Sequence, residues 1–95
     1  MAGLPPDIEA YRRTPEFTAD TVPAGLLRDH ATKAGVWGVI HVLAGEVAYV
    51  VRDDSHPQLL SPQNPGIVEP EVPHRVSPSP DARFYVEFYR MRRHD

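Results

Sequence analysis

The sequence contains no cysteine, which excludes disulfides, thiolate catalysis and thiolate metal sites together. It also lacks any apolar run near the roughly 20 residues that span a membrane. The N-terminus, MAGLPPDIEAY, has no apolar core of the length that a signal peptide needs. Charge of one sign is concentrated only in the terminal RMRRH, and the formal net charge is -3. These absences predict a cytoplasmic protein with no membrane partner and no nucleic-acid partner.

The chain has 95 residues, which is enough for one domain with one core and one pocket. We predict a single domain over residues 1–95, with residues 1–10 as an extended N-terminal arm and residues 91–95 as a tail. No serine is positioned for Ser-His-Asp catalysis, and no glycine-rich loop is present to hold a phosphate. No stretch shows a sustained apolar period of 3.6 residues, so helices are not predicted to build the core.

Proline, in contrast, is abundant, with 11 residues, but it is absent from residues 36–52 and 81–95. Because proline is excluded from central strands, these two segments are predicted to be the paired core strands. The first segment is predicted to be a β-hairpin of Val36–Leu43 and Glu46–Arg52, in which Gly45 supplies a positive φ at the turn.

Shorter strands are predicted in the proline-rich parts of the chain. Tyr11–Thr18, broken by Pro15, is predicted to be an edge strand, and QLLS and IVEPEVPHRV are further short strands separated by the turn PQNPG. Short strands with turn signals every eight to twelve residues are typical of antiparallel barrels and sandwiches. The pattern therefore predicts an all-β fold.

The segment IVEPEVPHRV places two acids and a histidine in a stretch that otherwise resembles a strand. His74 and Val76 share a face at the strand period of two, so the imidazole is predicted to point inward. An inward histidine is more often a hydrogen-bonded core residue than a ligand, and this alternative stays open. Two prolines interrupt the register, so the residues alone leave open whether Glu69 or Glu71 points inward.

The two core segments also predict which side chains face outward. One face of the first segment is wholly apolar, which places Trp37 and His41 on the outer side unless the strand lines an open pocket. In the segment 81–95, Glu87 lies opposite Phe84 and Val86 and is predicted to be a solvated acid.

Two motifs resemble those of cupins, which are small antiparallel jelly-roll barrels. PGIVEPEVPHRV looks like the second cupin motif, and GVWGVIHVLAGEVAYVV resembles the hairpin of the first, with Gly45 as its closing glycine. More narrowly, DHATKAGVWGVIHVLAGEV, VEPEVPHRV and YVEFY are similar to a small domain of uncharacterised function. That domain occurs alone and at the N-terminus of some tellurite-resistance methyltransferases. The resemblance covers residues 11–90 and implies a single cupin-like antiparallel β-barrel (jelly roll).

The sequence also departs from the metal-binding cupin pattern. Gly38 stands where the glutamate of the first motif is expected, and only Lys33 is ionisable in the slot of its two histidines. The resemblance still implies a ligand-binding pocket lined by His30, Lys33, Glu69 and His74. Of these, His30, Glu69 and His74 are the implied metal ligands, for one divalent ion of zinc, nickel, iron or manganese.

These residues lead to three hypotheses of function. The first is a binding module for a small anionic or oxyanion-like ligand, with or without a divalent metal, linked to tellurite or related stress resistance. In it Lys33 attracts the anion or pairs with Glu69. The second is a metal-dependent enzyme of dioxygenase or isomerase type, and the third is a regulatory or interaction module. The resemblance further implies a homodimer, for which the strand Tyr11–Thr18 offers an edge.

Overall fold

The computed structural model describes residues 4–28, 30–52 and 56–92 of the chain. Strands provide nearly all of the regular structure in these residues, with one short 3-10 helix at Ala24–Leu27. The strands are β1 Ile8–Arg13, β2 Phe17–Thr18, β3 Trp37–Ala44, β4 Val47–Val51, β5 Gln58–Leu60, β6 Gly66–Val68, β7 His74–Pro78 and β8 Arg83–Met91. The predicted all-β fold is confirmed. No helix in the described residues is long and apolar enough to cross a membrane.

The strands form two antiparallel sheets. The larger sheet has the order β1-β8-β3-β6, with β2 also paired to β8, and the smaller sheet has the order β5-β4-β7. Their inner faces share one apolar core, to which the larger sheet contributes Ile40 and Phe84 and the smaller sheet contributes Val47 and Leu60. Within the described ranges the two sheets do not close into a barrel.

The predicted hairpin around Gly45 is wrong, although its two strands and its turn exist. β3 pairs with β6 and β8, whereas β4 pairs with β5 and β7. The turn therefore carries the chain from the larger sheet to the smaller one. Gly45 has the predicted positive φ, at 67°. A Cβ at this position would lie 2.8 Å from the Cα of Ala82, so the crossing also requires the absence of a side chain.

The N-terminal prediction needs a similar correction. β1 begins at Ile8 and pairs with β8, so residues 8–10 belong to the larger sheet and not to an extended arm. The predicted strand Tyr11–Thr18 is divided between β1 and β2, with Pro15 between them. Met91 ends β8 and is not part of a tail. Residues 1–3 and 93–95 of the predicted arm and tail lie outside the described residues.

The outer face of the larger sheet carries a polar and aromatic cluster. His41 lies there, as predicted, stacked on Tyr85 with ring centroids 4.9 Å apart. The prediction of a solvated Glu87 is wrong, because this residue is half-buried. Its Oε1 accepts a hydrogen bond of 2.6 Å from the Tyr89 hydroxyl and lies 3.3 Å from His41 Nε2. The hydrogen bond to Glu87, with burial and nearby charge, raises the pKa of Tyr89 to about 12.

Candidate ligand-binding site

The segment IVEPEVPHRV is divided between the two sheets, and this division positions its histidine. β6 belongs to the larger sheet and β7 to the smaller, and residues 69–73 cross between them. Glu71 has a φ of 62° in this crossing, and its N–H donates to the Thr32 carbonyl at 3.1 Å. The crossing thus lies against the segment that leads into β3.

His74 opens β7 and points into the protein with only 4% of its surface exposed, as its shared face with Val76 predicted. Its Nδ1 lies 3.2 Å from the carbonyl oxygen of Val72. A carbonyl can only accept, so Nδ1 carries the proton of the neutral ring and Nε2 holds a lone pair. Burial lowers the pKa of His74, and the nearby His30 lowers it further, although the hydrogen bond to Val72 opposes the shift. The neutral form is therefore favoured.

His30 is held against His74 by the backbone. The N–H of each residue donates to the carbonyl of the other at 2.8 Å. The two rings meet edge to face with centroids 5.6 Å apart. His30 is itself exposed, whereas His74 is buried. The structure therefore brings two of the four predicted pocket residues together, one at the surface and one behind it.

A cavity of about 220 Å³ lies behind these two rings, between the sheets. Apolar side chains form most of its lining, with contributions from both sheets and the 3-10 helix: Phe17, Pro23, Leu26, Ile40, Val68, Val76, Phe84, Val86 and Phe88. The polar side chains of the lining are Thr14, Thr32, His30 and His74. Both threonine hydroxyls donate to backbone carbonyls at 2.8 Å, to Pro15 and Val36 respectively. The hydroxyl hydrogens of both threonines are therefore used within the protein, and the polar groups that remain for a ligand are the imidazoles and the threonine oxygens as acceptors.

An open groove adjoins the cavity on its outer side. His30, Thr32 and Phe88 line both spaces, so the groove and the cavity are adjacent. Arg12 and Lys33 line the groove alone. Both residues are exposed, and neither has a salt bridge within the described part of the chain, so the predicted pair of Lys33 with Glu69 is not formed there. The groove therefore offers two cations beside an apolar cavity.

Glu69 is exposed and lines neither the cavity nor the groove. Its charge lies near enough to Tyr49 to add to the burial that raises the pKa of that tyrosine to about 12. Among residues 4–28, 30–52 and 56–92, no group of three or more His, Asp or Glu side chains could hold a metal ion. The three metal ligands implied by the resemblance are thus not assembled in this part of the chain. Two imidazoles are fewer ligands than zinc sites use, so this donor set does not fit a tightly bound metal.

Two contributors to the site were missed at the level of sequence. Arg12 follows an irregularity in the pairing of β1 with β8 between Ala10 and Arg12, and nothing in the local sequence marks that shift. Leu26 belongs to a 3-10 helix that packs against β7. Adjacent leucines in PAGLLRDH could have signalled this contact, because one of two neighbouring apolar residues in a short turn can face the core.

Comparisons with known proteins agree with the two-sheet fold. A family model described as TehB-like domain matches residues 12–86. The crystal structure of an E. coli (strain K12) protein is similar with a TM-score of 0.87 and 25% identity, covering 98% of this chain and 100% of that one. The crystal structure of TehB from Haemophilus influenzae is similar with a TM-score of 0.84 and 28% identity. No curated protein matches the chain.

The lengths of these matches differ. The match to TehB covers 90% of this chain but only 32% of the TehB chain, so this chain spans about a third of that protein. The E. coli chain is covered completely. A domain of this kind therefore exists both as a whole solved chain and as one part of a longer chain, and the chain is related to TehB.

Proposed function

The chain belongs to the TehB-like domain family, and we propose that it is a binding domain for a small organic anion. In this proposal the apolar part of the ligand occupies the cavity behind His30 and His74. Its anionic group lies in the groove beside Lys33 and Arg12. The observation that carries the proposal is that an apolar cavity lies directly beside a groove lined by two cations, with three residues lining both.

The cavity favours a ligand with an apolar body over a bare inorganic oxyanion. An engineered apolar cavity of about 150 Å³ in another protein accommodates benzene, so about 220 Å³ has room for one substituted ring or a short branched chain. An oxyanion placed among these apolar side chains would lose its hydration with few hydrogen bonds in return. An oxyanion such as tellurite, suggested by the family resemblance, would have to bind in the groove alone.

The groove supplies the charge that the cavity lacks. The chain has a formal net charge of -3, so the distribution of charge, and not its sum, must attract an anion. Arg12 and Lys33 project from different segments into one groove. A guanidinium and an ammonium there can both donate charge-assisted hydrogen bonds to a carboxylate. Glu69 lies outside both spaces and is not part of the proposed site.

We also propose that the two sheets are a reduced cupin-like jelly roll. After β3 the chain passes to the smaller sheet for β4 and β5, returns for β6, crosses for β7 and returns for β8. Such repeated crossing between facing antiparallel sheets is the feature that supports a jelly-roll topology. The pocket of a jelly roll lies between its sheets, which is where His74 points.

Fewer observations support the enzyme hypothesis and the regulatory hypothesis. A dioxygenase or isomerase of the implied type needs a metal, and elemental analysis of protein purified without a His tag tests it. Metal near one equivalent that is lost in His74→Ala would support that alternative over ours. A regulatory role is supported by the match to one part of the TehB chain, and it would use the same ligand site. We place the protein in the cytoplasm on its composition alone.

Calorimetric titration tests the proposed function with three probes: benzoate, its neutral isostere benzamide, and tellurite. Benzoate should bind most tightly, because it combines a ring with a negative charge. Lys33→Met and Arg12→Met should each weaken benzoate binding by about three- to tenfold, since an exposed cation contributes modestly. Arg83→Met is the matched control, because Arg83 is exposed and lies outside the cavity and the groove.

Equal affinities for benzoate and benzamide would contradict the proposal, as would an equal loss of affinity in the Arg83→Met control. Tellurite that binds more tightly than benzoate would show that the groove alone is the site. A specific site of this size should bind benzoate with a dissociation constant of about 1 mM or lower. If benzoate does not bind at millimolar concentration, the assignment of the cavity as the binding site is wrong.

A further inference from the structure

The chemistry of the cavity depends on one atom, Nε2 of His74. The ring is fixed by the backbone exchange with His30 and by the contact of its Nδ1 with the Val72 carbonyl. Because that contact assigns the proton to Nδ1, Nε2 presents a lone pair and not an N–H. Nε2 therefore acts as a hydrogen-bond acceptor in the neutral ring.

No donor of the protein meets this acceptor within the described residues. The Tyr49 ring lies edge-on to His74, but its hydroxyl donates to the Ile67 carbonyl at 3.0 Å. The hydroxyls of Thr14 and Thr32 are donated to backbone carbonyls. Across residues 4–28, 30–52 and 56–92, no side-chain nitrogen or oxygen is fully buried without a hydrogen-bond partner. Nε2 is therefore not sealed off from open space, and the cavity is a space that His74 lines.

His74 is only 4% exposed. A hydrogen-bond acceptor on such a residue destabilises the fold if it has no partner, so a ligand or a water must supply the hydrogen. Most of the surrounding side chains are apolar, so a neutral donor such as a hydroxyl of the ligand is the group that fits.

We propose that His74 Nε2 accepts a hydrogen bond from a hydroxyl of the ligand, and that the ligand class is a small hydroxylated organic acid. This inference rests on the proposed function and deepens it, since the carboxylate remains in the groove with Lys33 and Arg12. Burial favours the neutral ring in which Nε2 keeps its lone pair.

The experiment compares ligands on the unmodified chain, so it does not depend on a variant that folds. The calorimetric probes are 3- and 4-hydroxybenzoate, the matched 3- and 4-fluorobenzoates, and benzoate. Fluorine is close to a hydroxyl in size but cannot donate. One hydroxybenzoate isomer should bind about tenfold more tightly than its fluoro counterpart, because the latter leaves Nε2 unpaired.

Two variants assign the preference to His74. His74→Leu should abolish the preference for the hydroxyl, whereas His74→Gln, which retains an acceptor oxygen, should keep part of it. If hydroxy and fluoro probes bind equally, the inference is wrong and the proposed function stands. If none of the benzoates binds, the proposed function is wrong as well. A preference for the hydroxyl that survives in folded His74→Leu would also overturn the inference.

Discussion

His74 shows how much, and how little, a local pattern determines about a single residue. The strand period of two predicted that its imidazole points inward, and the structure confirms this with 4% exposure. The period contains no information on which ring nitrogen carries the proton. That assignment comes from the Val72 carbonyl, 3.2 Å from Nδ1, and the position of this carbonyl depends on the crossing between sheets. Orientation could therefore be predicted, and the acceptor role could not.

The lowered pKa of His74 predicts a loss of stability on acidification. The folded state disfavours the protonated ring, whereas the unfolded chain protonates it at about pH 6.5. The contribution to the free energy of unfolding is thus fully present above that pH and is lost as the pH falls through the folded-state pKa. Urea denaturation from pH 8 to pH 5 should show this decline, and His74→Gln should reduce it.

A decline that is equally steep in His74→Gln and in the unmodified chain would show that other groups cause it.

At the scale of elements, the sequence predicted where strands lie better than which strands pair. Segments without proline became β3, β4 and β8, and Phe84 and Val86 are buried as their alternation indicated. The pairing of β3 with β4 was wrong, because a tight glycine turn looks the same whether it closes a hairpin or crosses between sheets. Partners such as β6 and β8 lie far along the chain, where local patterns carry no information on pairing.

At Gly45, where the chain crosses between the sheets, an added side chain should lower the stability of the protein in two separate ways. Gly45→Ala combines a positive φ with a Cβ 2.8 Å from the Ala82 backbone. Gly35→Ala has a positive φ of 77° but open space around its Cβ, so it measures the backbone cost alone. We expect Gly35→Ala to destabilise by about 1 kcal/mol and Gly45→Ala by at least about 2 kcal/mol, because overpacking adds to the strain.

Thermal and urea melts measure both differences, and Gly45→Val should be at least as destabilising as Gly45→Ala. Equal effects of the two alanine substitutions would mean that the chain does not pass closely over Ala82.

At the scale of the whole molecule, the site is assembled from segments that are distant in sequence. Arg12, Lys33 and His74 come from β1, the segment before β3, and β7. His30 and His74 could be predicted as neighbours from a family motif. Arg12 could not, since its place depends on a register shift in β1. The resemblance placed Glu69 in the pocket, but Glu69 is exposed and lines neither the cavity nor the groove.

The larger sheet also predicts self-association. Among the described residues β1 is an edge strand, and an unpaired edge can accept another strand. We keep the homodimer as a proposal. Sedimentation velocity should show a dimer at a protein concentration of tens of micromolar, which is on the order of the dissociation constant of a modest association. A single monomeric species across that concentration range would contradict it.

The central claim is that the ligand lies between the sheets, and isotope-filtered NOE measurements with bound benzoate test this most directly. Ring protons of benzoate should give NOEs to the methyl groups of Leu26, Ile40 and Val68, which line the cavity. A second depression lies on the outer face of the smaller sheet and is lined by Leu27, Ala48 and Val50. NOEs to those methyl groups, without any to Ile40 or Val68, would contradict the account.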